Sequence, residues 1–415
     1  MVNKMLKKKL EKYAHLIAFS GANIQENQNV VIRASVESVD FVRMLVKACY
    51  EAKARKVIVD WSDPYITRTH FENQSEETLC DVKDYYIAEQ KDIYESGSCF
   101  ISLTSPIPEI MKGVDSKKMM ARNIAYSKKM QEFRRYTAAN LTQWCVAAVS
   151  NPIWAKKVFP ELNEQEANVK LWDSILTTCH VLEDNDPIVA WQEHNEAFAR
   201  RIETLNNFNF KELHFTNSKG TDLHVCLAPN HIWEGGYCET QEKRIVFNPN
   251  MPTEEIFTMP YRNHVNGTVV TTKPLDYQGN IIEEFTLRFE NGRVVEYSAK
   301  NNEDSLKALV EFDEGSHYIG EVALVPYHSP ISELNVLFYN TLFDENASCH
   351  LALGSAYPTT VKNGENMSKE ELLEAGANDS LLHVDFMFGS SDMNVKGICF
   401  DGKEVDVFVN GDFVI

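Results

Sequence analysis

The stretch NVVIRASVESVDFVRMLVKACYEAKARKVIVDWSD, from Asn29 to Asp63, decides the fold class of the first half of the chain. Its first eight residues are an apolar run rich in β-branched side chains, and its last eight, Lys56–Asp63, also predict a strand. The segment between them, Val39–Ala54, repeats its apolar residues at helical spacing. This order predicts a βαβ unit and a mostly parallel sheet. Two further strand-like runs, Ser98–Pro106 and Thr142–Asn151, extend the same pattern.

The second half of the chain has a different pattern, in which strand-like runs are joined by short turns. Gly267–Lys300 predicts strands connected by turns at YQGN (277–280) and ENGR (290–293), the latter an Asn-Gly hairpin signal. The C-terminal residues predict a final hairpin with its turn at Asp401-Gly402. We therefore expect an α/β protein with an N-terminal domain, 1–200, built on a mostly parallel sheet with flanking helices. We expect residues 201–415 to form a mixed α+β catalytic domain.

Composition and charge exclude several classes of function. The formal net charge of −19 makes the chain a poor candidate for binding nucleic acid, because that affinity depends on neutralising phosphates. The nine cysteines are scattered, without any Cys-x-x-Cys, which is typical of reduced thiols in a cytosolic protein. The lysine-rich start, Met1–Gly21, predicts an amphipathic helix and lacks the apolar run of a secretion signal. We expect a cytoplasmic protein with neither a membrane nor a nucleic-acid partner.

The run SLLHVDFMFGSSD, from Ser380 to Asp392, places an imidazole and a carboxylate two residues apart in an apolar strand. In an extended strand His383 and Asp385 point to the same face, and their apolar neighbours point to the other. A buried carboxylate needs a partner, which can be a positive side chain, backbone donors or a metal ion. On this spacing alone, a neutral histidine and an aspartate that hydrogen-bond a nearby loop is the more common arrangement, because a single His-x-Asp is a weak metal signal.

Other segments of the second half repeat this mixture of acidic residues and histidine among apolar or small neighbours. The residues concerned are Glu254, Glu255, Glu321, Glu345, His350 and Tyr357. A carboxylate and imidazole set suits divalent metals such as zinc, cobalt or manganese, and an excess of carboxylates suits a pair of ions. Each residue also has a structural interpretation. Glu254 and Glu255 could lie in the first turn of a helix capped by Thr253, Glu345 in a surface loop, and His350 in the core.

Four segments together resemble the aminopeptidase T and aminopeptidase S family of bacterial metallopeptidases. They are NMPTEEIFT (250–258), IGEVALVP (319–326), NASCHLALGSAYP (346–358) and HVDFMFGS (383–390). The resemblance implies a dimeric exopeptidase that uses two divalent metal ions (zinc, cobalt, manganese or magnesium). Its substrates would be peptides with a free N-terminus, often with a large hydrophobic first residue such as leucine. The implied metal ligands are Glu255, Glu321, Glu345, His350, His383 and Asp385.

The resemblance also implies roles within the site. Glu321 is a candidate bridging ligand, and Tyr357 could bind metal or stabilise the oxyanion. Glu254 is the nearest carboxylate left over and a candidate general base. In this chemistry metals polarise the scissile carbonyl and activate water, while a carboxylate passes a proton to the leaving amine.

Three other interpretations compete with the aminopeptidase. Another dinuclear hydrolase, such as an amidohydrolase or phosphoesterase, could use the same ligands, although a phosphate site usually recruits Arg, Lys or backbone donors. A non-catalytic metal-binding protein would bind metal without turnover. A cysteine hydrolase is the weakest alternative, since Cys349 is adjacent to His350 in sequence and adjacent residues rarely form a nucleophile–base pair.

Overall fold

The computed structural model describes residues 4–277 and 280–415, and the chain divides into two compact units. The first unit contains Met1–Glu193 and Tyr237–Pro252. The second unit contains His194–Gly236 and Thr253–Ile415. The second unit carries all of the predicted metal ligands, so its sheets are the part of the fold that positions the candidate site.

The helices, in chain order, are α1 (Lys4–Leu16), α2 (Val39–Glu51), α3 (Pro64–Asn73), α4 (Glu76–Cys80), α5 (Asp84–Glu95), α6 (Ser116–Ala138), α7 (Pro152–Val158), α8 (Glu164–Thr178), α9 (Pro187–Phe208), α10 (Glu303–Val310), α11 (Pro330–Glu333), α12 (Thr341–Asp344) and α13 (Lys369–Glu374). Local sequence explains several of their starts. The side chain of Asn163 accepts a hydrogen bond from the backbone of Glu166, and Glu166 reciprocates, which forms a capping box at the start of α8.

Among the described helices, none is both long enough and apolar enough to cross a bilayer.

The strands, in chain order, are β1 (Asn29–Ser35), β2 (Lys56–Ser62), β3 (Cys99–Thr104), β4 (Trp144–Ala148), β5 (Glu212–Thr216), β6 (Asp222–Leu227), β7 (Glu234–Gly235), β8 (Cys238–Glu239), β9 (Val246–Phe247), β10 (Asn250–Met251), β11 (Ile256–Thr258), β12 (Pro260–Val270), β13 (Leu275–Tyr277), β14 (Asn280–Ile282), β15 (Thr286–Glu290), β16 (Arg293–Ser298), β17 (Ile319–Leu324), β18 (His350–Gly354), β19 (His383–Met387), β20 (Asn394–Ile398), β21 (Glu404–Val409) and β22 (Asp412–Phe413).

The first unit is built on a parallel sheet with strand order β10-β4-β3-β1-β2. The predicted βαβ unit is confirmed, since β1, α2 and β2 follow one another and β1 pairs with β2 in parallel. The central strands are almost wholly buried, which explains their continuous apolar composition. The edge strand β10 comes from a distant part of the sequence, where it pairs Asn250 with Val146.

The second unit contains two larger antiparallel sheets. Five strands form one sheet in the order β19-β18-β17-β11-β7, and eight form the other in the order β16-β15-β12-β6-β5-β20-β21-β22. Apolar side chains of both sheets share one hydrophobic core, in which the ring centroid of Phe386 of β19 lies 5.5 Å from that of Phe285, the residue before β15. The five-stranded sheet therefore has one face in the core, and its opposite face is available for polar residues.

The expected fold class is confirmed, with a parallel sheet followed by antiparallel sheets. The hairpin turns at ENGR and Asp401-Gly402 connect β15 to β16 and β20 to β21. The turn predicted at YQGN includes residues 278 and 279, which lie outside the described residues. The helical interpretation of Glu254 and Glu255 is wrong, because Ile256 begins a strand instead.

Candidate metal centre

The open face of the five-stranded sheet brings together predicted ligands from three neighbouring strands. Asp385 lies opposite Ala352, and Ala352 lies opposite Glu321. In the adjacent row His350 is paired with Ala323. Since directly paired residues point to the same face, these side chains share one surface. The alternate residues, among them Val322, Leu351 and Phe386, belong to the hydrophobic core behind it.

Glu321 occupies the centre of this group. One of its oxygens, Oε1, lies 3.5 Å from Nε2 of His350, and the other, Oε2, lies 3.5 Å from Nε2 of His383. Glu255 Oε2 lies 3.1 Å from the same nitrogen of His350, and Asp385 Oδ1 lies 3.4 Å from that of His383. The result is two sets of three residues that share Glu321. Within each set the candidate ligand atoms lie within 4.8 Å of one another.

Both imidazoles are oriented by the backbone. Nδ1 of His350 donates to the carbonyl oxygen of Ser348 at 3.1 Å, and Nδ1 of His383 donates to that of Ser355 at 2.7 Å. A carbonyl only accepts, so each Nδ1 carries the hydrogen and each Nε2 faces the carboxylates. A histidine that binds metal through one nitrogen usually donates from the other in this way. The arrangement therefore fits two imidazole ligands.

Glu345 joins the group from the short 3₁₀ segment Glu345–Ala347. Burial, reinforced by the charges of Glu255 and Asp385, raises the pKa of Glu345 well above its usual range. The alternative interpretation, in which Glu345 lies in a surface loop, is wrong, since Glu345 begins a 3₁₀ segment, is itself half-buried and is followed by the buried Asn346 and Ala347. The adjacent Asn346 is completely buried and bridges two ligand segments. Its Oδ1 accepts from the backbone of Glu254 at 2.7 Å, and its Nδ2 lies 3.4 Å from Oε1 of Glu345.

The charges of the group are unbalanced without a cation. Burial raises the pKa of Glu321, and the nearby Asp385 and Glu255 raise it further. Burial alone would lower the pKa of His383, but Asp385 and Glu321 raise it to about 9. Among the described residues, the two imidazoles are the only positive partners within 4 Å of these carboxylates.

The donor set fits divalent metal ions. Its four carboxylates, when ionised, carry the negative charge that two divalent ions would neutralise, and its two imidazoles supply nitrogen ligands. Asp385 Oδ1 is buried and accepts no hydrogen bond, and its one close charged contact is the 3.4 Å approach of His383 Nε2, although a buried carboxylate oxygen without a hydrogen bond is costly. A metal ion at this position would compensate for that cost.

The adjacent glutamates point in different directions. Only Glu255 reaches His350, whereas the carboxylate of Glu254 lies within 4.8 Å of a ring nitrogen of His194. Burial raises the pKa of Glu254 to about 8, and the charge of Arg201 opposes this shift. Its Oε1 is buried and has no hydrogen-bond partner.

Tyr357 lies at the accessible side of the group. Its ring centroid is 4.8 Å from that of His383 and 6.0 Å from that of Phe257, and the residue is 46% exposed. Desolvation of the phenol, together with the negative charges of Glu321 and Asp385, raises the pKa of Tyr357. The hydroxyl therefore keeps its proton and can act as a hydrogen-bond donor beside the candidate ligands.

Sequence reasoning missed two residues of this surface. Asn346 directly follows a predicted ligand, and a polar side chain inside the run NASCHLALG was the signal that could have identified it. Glu234 lies on the edge strand β7 and points to the same face of the sheet, since it is paired with Phe257. Its sequence context, HIWEGGY, contains no comparable signal.

Comparisons with known proteins identify the family to which the chain belongs. Residues 6–413 match the family described as thermophilic metalloprotease (M29). The chain is 45% identical over 405 residues to aminopeptidase AmpS of Bacillus subtilis (strain 168), which covers 98% of each chain. It is 36% identical over 406 residues to aminopeptidase T of Thermus aquaticus, again covering 98% of each. The solved structure of wild-type AmpT from Thermus thermophilus matches with a TM-score of 0.92 at 35% identity. That match covers 99% of this chain and all of the other.

These matches confirm the resemblance that the four motifs indicated, over essentially the whole chain. The relatives are named as aminopeptidases, and the family is one of metallopeptidases, so the use of divalent metal is supported. The chain therefore belongs to the M29 family of metallopeptidases and is an aminopeptidase.

Proposed function

We propose that the open face of the five-stranded sheet binds two divalent metal ions and that this centre removes N-terminal residues from peptides, hydrophobic ones such as leucine among them. The observation that carries the proposal is the shared position of Glu321, whose two oxygens face two different histidines 3.5 Å away. One set of ligands would be Glu255, His350 and Glu321, and the other Glu321, His383 and Asp385. Glu345 would complete the centre.

The chemistry of the centre requires metal and protein groups together. When bound, the divalent ions would supply Lewis acidity to the scissile carbonyl and lower the pKa of water. Within the protein, the Tyr357 hydroxyl would donate a hydrogen bond to the oxygen on which negative charge develops. Glu254 would be the proton carrier, because its buried Oε1 has no hydrogen-bond partner in the free protein and is available to accept one.

The surroundings of the ligands favour peptides over phosphate esters. Phosphate sites recruit Arg, Lys or backbone donors to hold the phosphoryl oxygens. In the described part of the chain, no Arg or Lys lies within 4 Å of the four carboxylates among the proposed ligands. An acidic site instead suits a substrate that carries a positive α-amino group.

The experiment that tests the proposal follows release of p-nitroaniline from leucine p-nitroanilide and from its N-acetylated form. The protein is assayed as prepared, after chelation, and after cobalt, zinc, manganese or magnesium is restored. We expect metal-dependent cleavage of the free-amine substrate alone, with two metal equivalents per chain by elemental analysis. Metal binding without turnover of any peptide would favour a metal-binding protein, and cleavage of phosphate esters would favour another hydrolase.

Two variants test the ligand assignment. His383→Ala should lose metal and activity while the protein stays folded, because the ring lies at the surface of the sheet and not in its core. His214→Ala is the matched control, since His214 also pairs with a carboxylate, Asp222, at 2.7 Å on the other sheet. Full activity in His383→Ala would contradict the assignment. A homodimer is part of the proposal, and its test is the mass of the native protein in solution.

A further inference from the structure

Glu234 is an acidic residue on the ligand-bearing face that the proposed centre does not use. It lies on the edge strand β7, opposite Phe257 of β11. Phe257 is paired in turn with Ala323, and Ala323 with His350. Directly paired residues point to the same face, so the side chain of Glu234 points to the side of the sheet that carries the candidate ligands.

The position of Glu234 is close to the centre without being part of it. Glu255 is two residues from Phe257, so Glu234 lies one strand to the side of this ligand and two residues along. From strand spacing and rise, this places their Cα atoms roughly 8 Å apart. The side of the surface that includes Glu234 is also more open than the centre. Glu234 and Phe257 are partly exposed, whereas His350 is 1% exposed.

Among the described residues, Glu234 has a hydrogen-bond donor beside it but no cation within 4 Å. Its Oε2 accepts a hydrogen bond of 2.7 Å from Oγ1 of Thr359. In the part of the chain that the structure describes, Oε1 accepts no hydrogen bond and no Lys, Arg or His lies within 4 Å of the carboxylate. Desolvation raises the pKa of Glu234 to about 7, and the neighbouring charges of Glu365 and Glu321 contribute to the shift.

Partial burial of a carboxylate without a cation is unfavourable because the charge loses hydration, and a positively charged ligand would offset this desolvation free energy. An aminopeptidase substrate carries such a charge, because the α-amino group of its first residue is protonated near neutral pH. That group is separated from the scissile carbonyl by a single carbon atom. Its binding site must therefore lie beside the reacting centre, as Glu234 does.

We propose that Glu234 binds the α-ammonium group of the substrate's first residue and thereby restricts the enzyme to peptides with a free N-terminus. This inference rests on the proposed function, since it assigns a substrate contact to the same centre. The hydrogen bond from Thr359 goes to Oε2, so Oε1 can accept from the ammonium group. Phe257 lies between Glu234 and the centre, where it can contact the side chain of the same substrate residue.

The test uses Glu234→Gln, which keeps an oxygen for Thr359 and removes the charge. Leucine p-nitroanilide is compared with its des-amino analogue, 4-methylpentanoyl p-nitroanilide. We expect kcat/KM for the leucine substrate to fall at least about tenfold, mainly through KM, because a charged hydrogen bond is lost. Hydrolysis of the des-amino analogue should be unchanged, so that the preference for a free amine decreases by the same factor. An unchanged preference would overturn the proposal.

Two further variants separate substrate binding from a structural role. Thr359→Val removes the hydrogen bond to Glu234 and keeps the charge, and Glu365→Gln removes an exposed charge nearby. We expect each to change the preference less than about threefold, well below the loss expected for a charged hydrogen bond. If Thr359→Val reproduces the effect of Glu234→Gln, then Glu234 acts by holding the Tyr357–Thr360 segment, and the proposal is wrong.

Binding of isoamylamine, measured by calorimetry on the metal-loaded protein, gives a result that does not depend on turnover. We expect the wild-type protein to bind this primary amine at least about tenfold more tightly than Glu234→Gln does. Equal binding would overturn the role of Glu234 even in an active enzyme. If the wild-type protein cleaves no peptide but still binds the amine more tightly than Glu234→Gln does, the ammonium site is supported and the proposed reaction is refuted.

Discussion

Replacement of Asn346 by alanine is the sharpest test of how the ligand segments are held together. Asn346 is fully buried, and its side chain contacts two segments that are ninety residues apart in sequence. Its Oδ1 accepts from the backbone N–H of Glu254 at 2.7 Å and from Oγ1 of Thr253 at 3.3 Å. Its Nδ2 donates to the carbonyl oxygen of Leu342 at 3.2 Å. The amide therefore ties the residue before Glu255 to the segment that carries Glu345.

The size of the effect follows from these contacts. Truncation to alanine leaves the Glu254 N–H and the Leu342 carbonyl without their partner, and each unsatisfied buried group costs roughly 1–3 kcal/mol. We expect a loss of about 3 kcal/mol in the free energy of unfolding. For a unit of about 200 residues this lowers the unfolding midpoint by roughly 6–12 °C. Loss of a residue that orients metal ligands should also weaken metal binding about 10- to 100-fold.

The assay pairs thermal unfolding of the metal-free protein with a metal-binding titration. Ser316→Ala is the matched control, because the buried Ser316 hydroxyl donates to the carbonyl oxygens of Val310 and Asp313 at 2.8 and 2.7 Å but contacts no candidate ligand. It should lose stability and keep its metal affinity. If Asn346→Ala binds metal as tightly as the wild-type protein does, Asn346 is a structural residue only and the reasoning is refuted.

Two other predictions concern single residues. Cys349 is buried, and its thiol donates to the Val325 carbonyl oxygen at 3.4 Å, while burial raises its pKa to about 11. Alkylation by iodoacetamide, followed by peptide mass spectrometry, should therefore leave Cys349 unmodified while the half-buried Cys80 reacts; rapid alkylation with loss of activity would instead indicate a cysteine nucleophile. Hydrogen bonds from the hydroxyl and backbone of Ser218 and from Ser390 lower the pKa of Asp392 to about 2, below its unfolded value near 3.9. Asp392→Asn should thus lose about 1 kcal/mol of stability at neutral pH, after allowance for solvent screening, and the difference should disappear as pH falls from about 4 to 2; a difference independent of pH in chemical unfolding would contradict this origin.

The features that the sequence predicts are those in which apolar residues recur at the regular spacing of a strand or a helix. The strand-like runs of β1 and β2 and the helical spacing of α2 are enough to indicate the parallel sheet, because each period can be recognised in the local sequence, even though the edge strand β2 is largely exposed. The alternation in HVDF likewise indicates that His383 and Asp385 point away from the core, as the strand His383–Met387 has them. The four motifs were sufficient for the family, which the comparisons confirm.

Other features depend on contacts between distant segments and leave no local trace. The two-residue strand Asn250–Met251 joins the first unit's sheet beside β4, about a hundred residues away along the chain, and is too short for any periodicity. The local pattern does not separate Glu254 from Glu255, which only the family resemblance distinguished, because the pairing of β11 with its neighbours decides which carboxylate reaches His350. Glu234 is one of 60 acidic residues in the sequence, and only its pairing with Phe257 shows which face of the sheet its side chain is on.

The alternation of strand β19 has a consequence for folding. A shift of one residue in the pairing of β19 with β18 would move every side chain of β19 to the opposite face of the sheet. His383 and Asp385 would then enter the hydrophobic core, and Phe386 would be exposed to water. Such a misfolded sheet would lose apolar burial and bury charge at once, so it would be strongly disfavoured. The residues that we assign to metal binding therefore also disfavour the shifted strand register, and they would do so in the absence of any bound ion or peptide.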